Sequence, residues 1–180
     1  MVIDAISVPG YLAVDLENDF EFPPDMQMHG SGGTAFILRA KIRSRQLILK
    51  YGETEAAIKV IKGTDDNRSE SIRKNFLYEV AIMSALPNSH NIIRLIGYSN
   101  EPMAIVMKFY SYNLKALISK VDFAVTPEII FKIAHDLSFG LNVIHSSNIL
   151  HLDVKPGKQL KANDIRYINI VLRVHRQYSH

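Results

Sequence analysis

The sequence predicts an α+β fold in which an antiparallel sheet is built first and helices follow. Two observations carry this reading. From Thr34 to Phe109 short runs rich in β-branched and aliphatic residues alternate with polar turns, and one amphipathic helical stretch interrupts them. From Asn113 onward the apolar residues recur at helical spacing, most clearly between Thr126 and Ser146. Composition agrees: 180 residues with 47% apolar and 22% charged side chains can build one ordinary domain or a small two-lobed one, which excludes a disordered or collagen-like chain.

Residues 1–25 read as an irregular lead-in, with acidic Asp15, Glu17, Asp19 and Glu21 and a Pro23-Pro24 break, followed by a short strand near Met26 to Met28. Thr34 to Ile42, Gln46 to Tyr51 and Ala56 to Ile61 are expected strands, with Gly52-Glu53-Thr54 as a turn before the third. Ile72, Phe76, Leu77, Val80, Met83 and Leu86 then fall at helical spacing after the cap-rich Thr64 to Ser71 stretch, and Pro87-Asn88 ends that helix. Ile92 to Tyr98 and Ala104 to Phe109 look like buried strands joined by Asn100-Glu101-Pro102, which brings the sheet to about five strands. Thr126-Pro127-Glu128 is the clearest helix start: an N-cap hydroxyl, a proline at the first helical position and an acid in the first turn. The apolar face of that helix is expected to be Ile130, Ile133, Ala134, Leu137, Leu141 and Ile144.

Charge and residue usage narrow the function classes. The net charge of +3 is spread over scattered Lys and Arg without an aromatic-interleaved stripe, so no nucleic-acid partner is expected. Zero cysteines exclude disulfides, thiolate metal sites and cysteine nucleophiles, and suit a cytoplasmic protein. No stretch approaches the ~18 apolar residues of a spanning helix and the N-terminus lacks a targeting pattern, so a soluble chain with no membrane partner is expected. The seven histidines suggest no metal site, since His145 and His151 are too far apart for an i, i+4 pair.

Five motifs carry the chemistry. Gly30-Ser31-Gly32-Gly33-Thr34-Ala35-Phe36-Ile37 approximates a phosphate-covering G-x-G-x-x-G-x-V loop, with Ala35 at the third glycine and Ile37 at the valine. Missing Cβ atoms let backbone N–H groups approach phosphate oxygens, and alanine is the least costly replacement. Ala56-Ala57-Ile58-Lys59 matches V-A-I-K, and the following helix supplies an acid, Glu79. Ala104 to Tyr110 forms a strand running into a connection, and His151-Leu152-Asp153-Val154-Lys155-Pro156 matches H-R-D-L-K-P.

In this order, over roughly residues 26–157, these residues resemble a eukaryotic protein kinase domain of the Ser/Thr type, with the tyrosine-kinase-like group as one candidate subgroup. The resemblance implies an α+β, protein-kinase-like fold: a small five-stranded N-lobe with one helix at 26–107, a hinge at 108–112, the first helices and catalytic loop of a C-lobe at 113–157, and an aberrant tail at 158–180. It implies ATP as cofactor, with Gly30 to Ala35 covering the phosphates and Lys59, paired with Glu79, holding them. Met107 would be the gatekeeper, and Lys108, where an acid is common, and Tyr110 would lie on the hinge whose backbone meets adenine. Ile37 and Ala57 would cover one face of the ring and Leu160 the other. Asp153 would accept the proton of a substrate hydroxyl and Lys155 would stabilise the transferring phosphoryl group.

The sequence also departs from the family. Lys158 stands where an asparagine should ligate Mg²⁺, and a cation cannot ligate a cation, so the expected Mg²⁺ lacks ligands here. Leu152 replaces the arginine that answers a phosphorylated activation loop. No D-F-G follows the catalytic loop; Asp122-Phe123-Ala124 lies upstream and reads as a helix-approach turn. Asn169-Ile170-Val171-Leu172 resembles the family's N-I-L-L step displaced from 158 to 169, which is either coincidence or a trace of intron-derived or frameshifted sequence. The expectation is a truncated γ-phosphate transferase for Ser/Thr hydroxyls, weakly active or inactive alone, with chaperone association because the C-lobe is incomplete. The alternative is a pseudokinase-like module that binds nucleotide or a partner without catalysis.

Overall fold

The computed structural model describes residues 8–24, 28–31, 34–63, 69–113, 124–150 and 159–160. The chain divides into two compact units, residues 1–85 with 95–109 and residues 86–94 with 110–180.

In the first unit a six-stranded sheet is formed by β1 (Phe20–Glu21), β2 (Met28–Ser31), β3 (Ala35–Ile42), β4 (Glu55–Ile61), β5 (Leu95–Asn100) and β6 (Met103–Lys108). The order is β1-β3-β4-β6-β5, with β2 also on β3, and all strand pairs are antiparallel. The sheet is therefore the expected five strands wide, and β1 and β2 share one edge. β4 lies inside it, paired with β3 and β6 along its length. Side chains alternate between faces and directly paired residues share a face. Ala56, Ile58 and Val60 thus join Ala40, Ala104 and Val106 on one side, while Ala57 and Lys59 lie with Ile37, Met107 and Ile105 on the other.

Gln46 to Tyr51, expected as a strand, is instead within helix α2 (Arg45–Tyr51). Its residues are mostly good helix formers, and the stop is a left-handed Gly52 (φ 70°) whose N–H donates to the Ile48 carbonyl at 2.7 Å. Helical spacing turns Leu47, Ile48 and Tyr51 into the core on the Ala56–Ile58 side and leaves Leu49 exposed. The apolar run was legible; its period was not, because six residues hold fewer than two helical turns.

The lead-in is likewise ordered where described, because its apolar residues have a face to cover. Asp15 caps helix α1 (Leu16–Asp19) by accepting from the N–H groups of Glu17 and Asn18 at 2.9 and 3.1 Å. At one edge of the sheet the Val14 N–H donates to the Tyr98 carbonyl at 3.0 Å; at the other Phe20 pairs with Ile42. Between these anchors Leu16 and Phe20 enter the same core as α2, so residues 13–21 form a strap across the sheet. Burying each such side chain contributes roughly 1.5–3 kcal/mol before entropy is counted. Beneath the strap no side chain fits at position 97: a Cβ on Gly97 would lie 2.5 Å from Val14 Cγ1 and 2.7 Å from the Leu12 carbonyl oxygen.

Helix α3 (Ser69–Ala85) covers the opposite face, burying Phe76, Val80 and Met83, with Phe76 edge-on to Tyr98 at 6.4 Å. The strand expected from Ile92 begins only at Leu95. A turn at Ser89 precedes it, in which the Ser89 hydroxyl and carbonyl take the N–H groups of Asn91 and Ile92. Asn100 to Pro102 is the turn expected between β5 and β6.

In the second unit β7 (Tyr112–Asn113) pairs antiparallel with β8 (Gln159–Leu160), so Asn113 is extended rather than the start of a helical pattern. Helix α4 (Pro127–Ser146) starts as expected, with the Thr126 hydroxyl accepting from the Ile129 N–H and Pro127 in the first turn. Its apolar face differs from the expected one: Ile144 is buried and Ile133, Leu137 and Leu141 are half-buried, but Ile130 and Ala134 are exposed. Phe131 (75% exposed) and Phe139 (50%) are exposed with them. Among the described residues no helix is long and apolar enough to cross a membrane.

Two outcomes are expected. Gly97→Val should displace the strap and destabilise the chain by roughly 2 kcal/mol or more, since a backbone oxygen cannot yield as a side chain can. Chemical denaturation reads the loss, and proteolysis within residues 8–24 should accelerate. The bare aromatics of α4 should bind ANS, and Phe131→Glu with Phe139→Glu should lower that fluorescence without lowering Tm.

Candidate functional site

The site is built on β4. Period-two alternation puts Lys59 on the α3 side of the sheet, two residues from Ala57, and the register places Ile37 directly opposite Lys59 and Met107 opposite Ala57. Helix α3 presents Glu79 next to its buried residue Val80. The Lys59 ammonium donates to both carboxylate oxygens of Glu79, at 2.6 and 2.7 Å. Their side chains are 22% and 19% exposed, so both charges are largely withdrawn from water and each depends on the other for compensation. Glu79 is therefore not an ordinary solvent-facing helix acid.

The glycine-rich segment is a hairpin: Gly30 pairs with Ile37 and Ser31 with Phe36, while Gly32 and Gly33 lie outside the described residues. Thr34 is exposed at the hairpin's return, and its carbonyl accepts from the Lys62 N–H at 3.0 Å. Ala35 opens β3, and the bulge between Met28 and Gly30 shifts the register just before the glycines. Together these elements gather, on one face of one sheet, a cation held by a carboxylate, a glycine hairpin and the apolar side chains of Ile37, Ala57 and Met107. Such a set suits a ligand with a flat apolar part and an anionic part.

The remaining expected residues are placed as follows. Met107 is buried on the Lys59 side, whereas Lys108, one residue on, leaves the sheet on the strap side and pairs with Glu53. Tyr110 is buried and belongs to the second unit, as does Leu160, which pairs with Tyr112. Asp153, Lys155 and the rest of the catalytic-loop motif lie outside the described residues. Sequence reasoning missed the Lys108–Glu53 pair, the Arg39–Phe109 contact and the strap. Glu53 carried no signal beyond membership of a turn, and Arg39 read as one polar position in a strand.

A family model for the protein kinase domain matches residues 29–167. Among curated proteins, a probable serine/threonine-protein kinase of Dictyostelium discoideum is 26% identical over 165 residues, 88% of this chain and 12% of that protein. The cell division control protein 2 homolog 3 of Trypanosoma brucei brucei is 26% identical over 155 residues, 85% of this chain and 47% of that protein. A serine/threonine/tyrosine-protein kinase of Arabidopsis thaliana is 25% identical over 123 residues, 64% of this chain and 31% of that protein. The chain thus spans less than half the length of each of these relatives. With the lysine, its glutamate and the glycine hairpin on one sheet face, and a family match over more than half its length, the chain belongs to the protein kinase domain family.

Proposed function

We propose that the chain is the ATP-binding portion of a Ser/Thr-type protein kinase domain, able to hold nucleotide and poorly equipped to transfer its γ-phosphate. The observation that carries the binding half is the Lys59–Glu79 pair beside the glycine hairpin. An ammonium fixed by two hydrogen bonds keeps a third N–H for a phosphate oxygen, and the carboxylate holds it there instead of allowing it to swing into solvent. Ile37, Ala57 and Met107 supply the apolar surface beside that cation. ATP, which this family uses together with Mg²⁺, would bring the transferable phosphoryl group.

The transfer half rests on sequence. Asp153 would orient a substrate hydroxyl and accept its proton, and Lys155 would balance charge on the moving group. Lysine two residues after the aspartate is the Ser/Thr-type pattern, which supports that substrate class. Mg²⁺ does not fit the donor set: Lys158 occupies the position of a metal-ligating asparagine and offers no lone pair when protonated. That same residue favours the second reading, a nucleotide-binding module without catalysis. ATP supply suits an intracellular location under either reading.

ATP should raise the Tm of the wild-type chain, and Lys59→Met should abolish most of that increment; equal increments in the two proteins would place the nucleotide elsewhere. Phosphate transfer from γ-labelled ATP to a generic basic protein should be at or near background with saturating Mg²⁺. Robust transfer that Asp153→Asn removes would establish the chain as a working kinase and reject the module reading.

A further inference from the structure

Lys59 belongs to a row of residues that runs straight across the sheet, one from each of four strands. Ile37 of β3 faces Lys59 of β4, Lys59 faces Ile105 of β6, and Ile105 faces Tyr98 of β5. Directly paired residues share a face, so the Tyr98 ring lies on the α3 side, two strand spacings or roughly 10 Å from Lys59. The strap completes the row: Ala13 pairs with Tyr98 in a parallel bridge, and the Val14 N–H donates to the Tyr98 carbonyl at 3.0 Å.

Helix α3 meets this row at two points about one turn apart. Glu79 holds the Lys59 ammonium, and Phe76, three residues earlier and 2% exposed, stands edge-on to Tyr98 with ring centroids 6.4 Å apart. Residues i and i+3 are neighbours on a helix surface, so a shift of the turn that carries Phe76 moves the Glu79 carboxylate with it. The backbone beside the Tyr98 ring is fixed from the strap, where a Cβ on Gly97 would lie 2.5 Å from Val14 Cγ1. The strap, β5, α3 and Lys59 are thus joined by one unbroken series of contacts.

We infer that Tyr98 and Phe76 are positioning residues for the Lys59–Glu79 pair and that they couple the strap to the phosphate-binding cation, a role that rests on the nucleotide-binding reading above. The two rings act through Glu79 rather than on the ligand. They hold its carboxylate where it accepts two hydrogen bonds from Lys59, and such bonds weaken steeply when misaligned. Linkage is reciprocal, so the factor by which a seated strap favours the nucleotide is the factor by which bound nucleotide favours the seated strap. Whatever lifts residues 13–16 from β5 should therefore weaken nucleotide binding without any contact between those residues and the ligand.

Calorimetric titration of the full chain with ADP, without metal, tests this, with Tm measured for every variant. Wild-type binding that Lys59→Met weakens supports the pocket itself. Tyr98→Leu should weaken ADP roughly threefold to tenfold, within the range of coupling between contacting residues, and Tyr98→Phe, which keeps the ring, should bind as the wild type does. In a Glu79→Gln background Tyr98→Leu should cost nothing further, because its effect runs through that carboxylate. Saturating ADP should also slow hydrogen exchange of the Val14 N–H by a similar factor in the wild type, and not in Glu79→Gln. Unchanged affinity in folded Tyr98→Leu overturns the inference and leaves nucleotide binding standing. So do losses that multiply in the double variant, and so does Val14 exchange that ADP leaves unaltered. If Tyr98→Leu does not fold, Phe76→Leu runs the same cycle; unfolding of both assigns the ring contact to stability alone and overturns the inference. Absence of ADP binding by the wild type overturns both readings.

Discussion

The described part of the first unit depends on one constraint: β4 is paired on both edges, so each of its side chains can go only up or down. Ala56 and Ile58 go to the core beneath the strap and α2; Ala57 and Lys59 go to the side of α3. A slip of one residue would send Lys59 into an apolar core without a partner and bring Ile58 out beside Glu79. Register is thus over-determined, by apolar burial on one face and by an ion pair on the other. The same strand joins structure to chemistry, because the residues that make it fold are the immediate neighbours of the residue that would hold a phosphate.

The strap shows how a segment without strong secondary-structure propensity becomes ordered. Its acidic residues are used locally: Asp15 caps a one-turn helix, Asp19 accepts the Asp15 N–H at 2.9 Å, and the Asp19 carbonyl takes the N–H groups of Arg43 and Ser44. Those bonds place Leu16 and Phe20 over the sheet. The demand returned to the sheet is Gly97, which is needed because Val14 and Leu12 occupy the space where a Cβ would stand. The glycine of Ile96-Gly97-Tyr98 therefore answers a contact with residues more than eighty positions earlier in the chain, and nothing near it in sequence announces that.

Much of the candidate site was legible. The glycine hairpin, the strand lysine and the helix acid are local patterns whose spacing follows from strand and helix periods, and the structure brings Ile37, Ala57, Lys59, Glu79 and Met107 to one face. Glu53 and Arg39 were not legible. The groups they contact, Lys108 and Phe109, lie more than fifty residues away in sequence and beside them only after β4 has paired with both β3 and β6. Gln46 to Tyr51 failed for a different reason: a short apolar run satisfies either period, and the left-handed Gly52 together with the available core surface decided for the helix.

The sequence by itself determined the order of sheet and helices, the start of α4 at Thr126-Pro127-Glu128, and the family, because these depend on spacings of a few residues and on motifs read in series. Only the tertiary structure decided that residues 13–21 cross the sheet, that Gly97 must lack a side chain, and that Lys108 turns toward Glu53 while Met107 turns toward Lys59. Each of these is a contact between distant segments. Its energy comes from burial and charge pairing that exist only once the strands have chosen their neighbours.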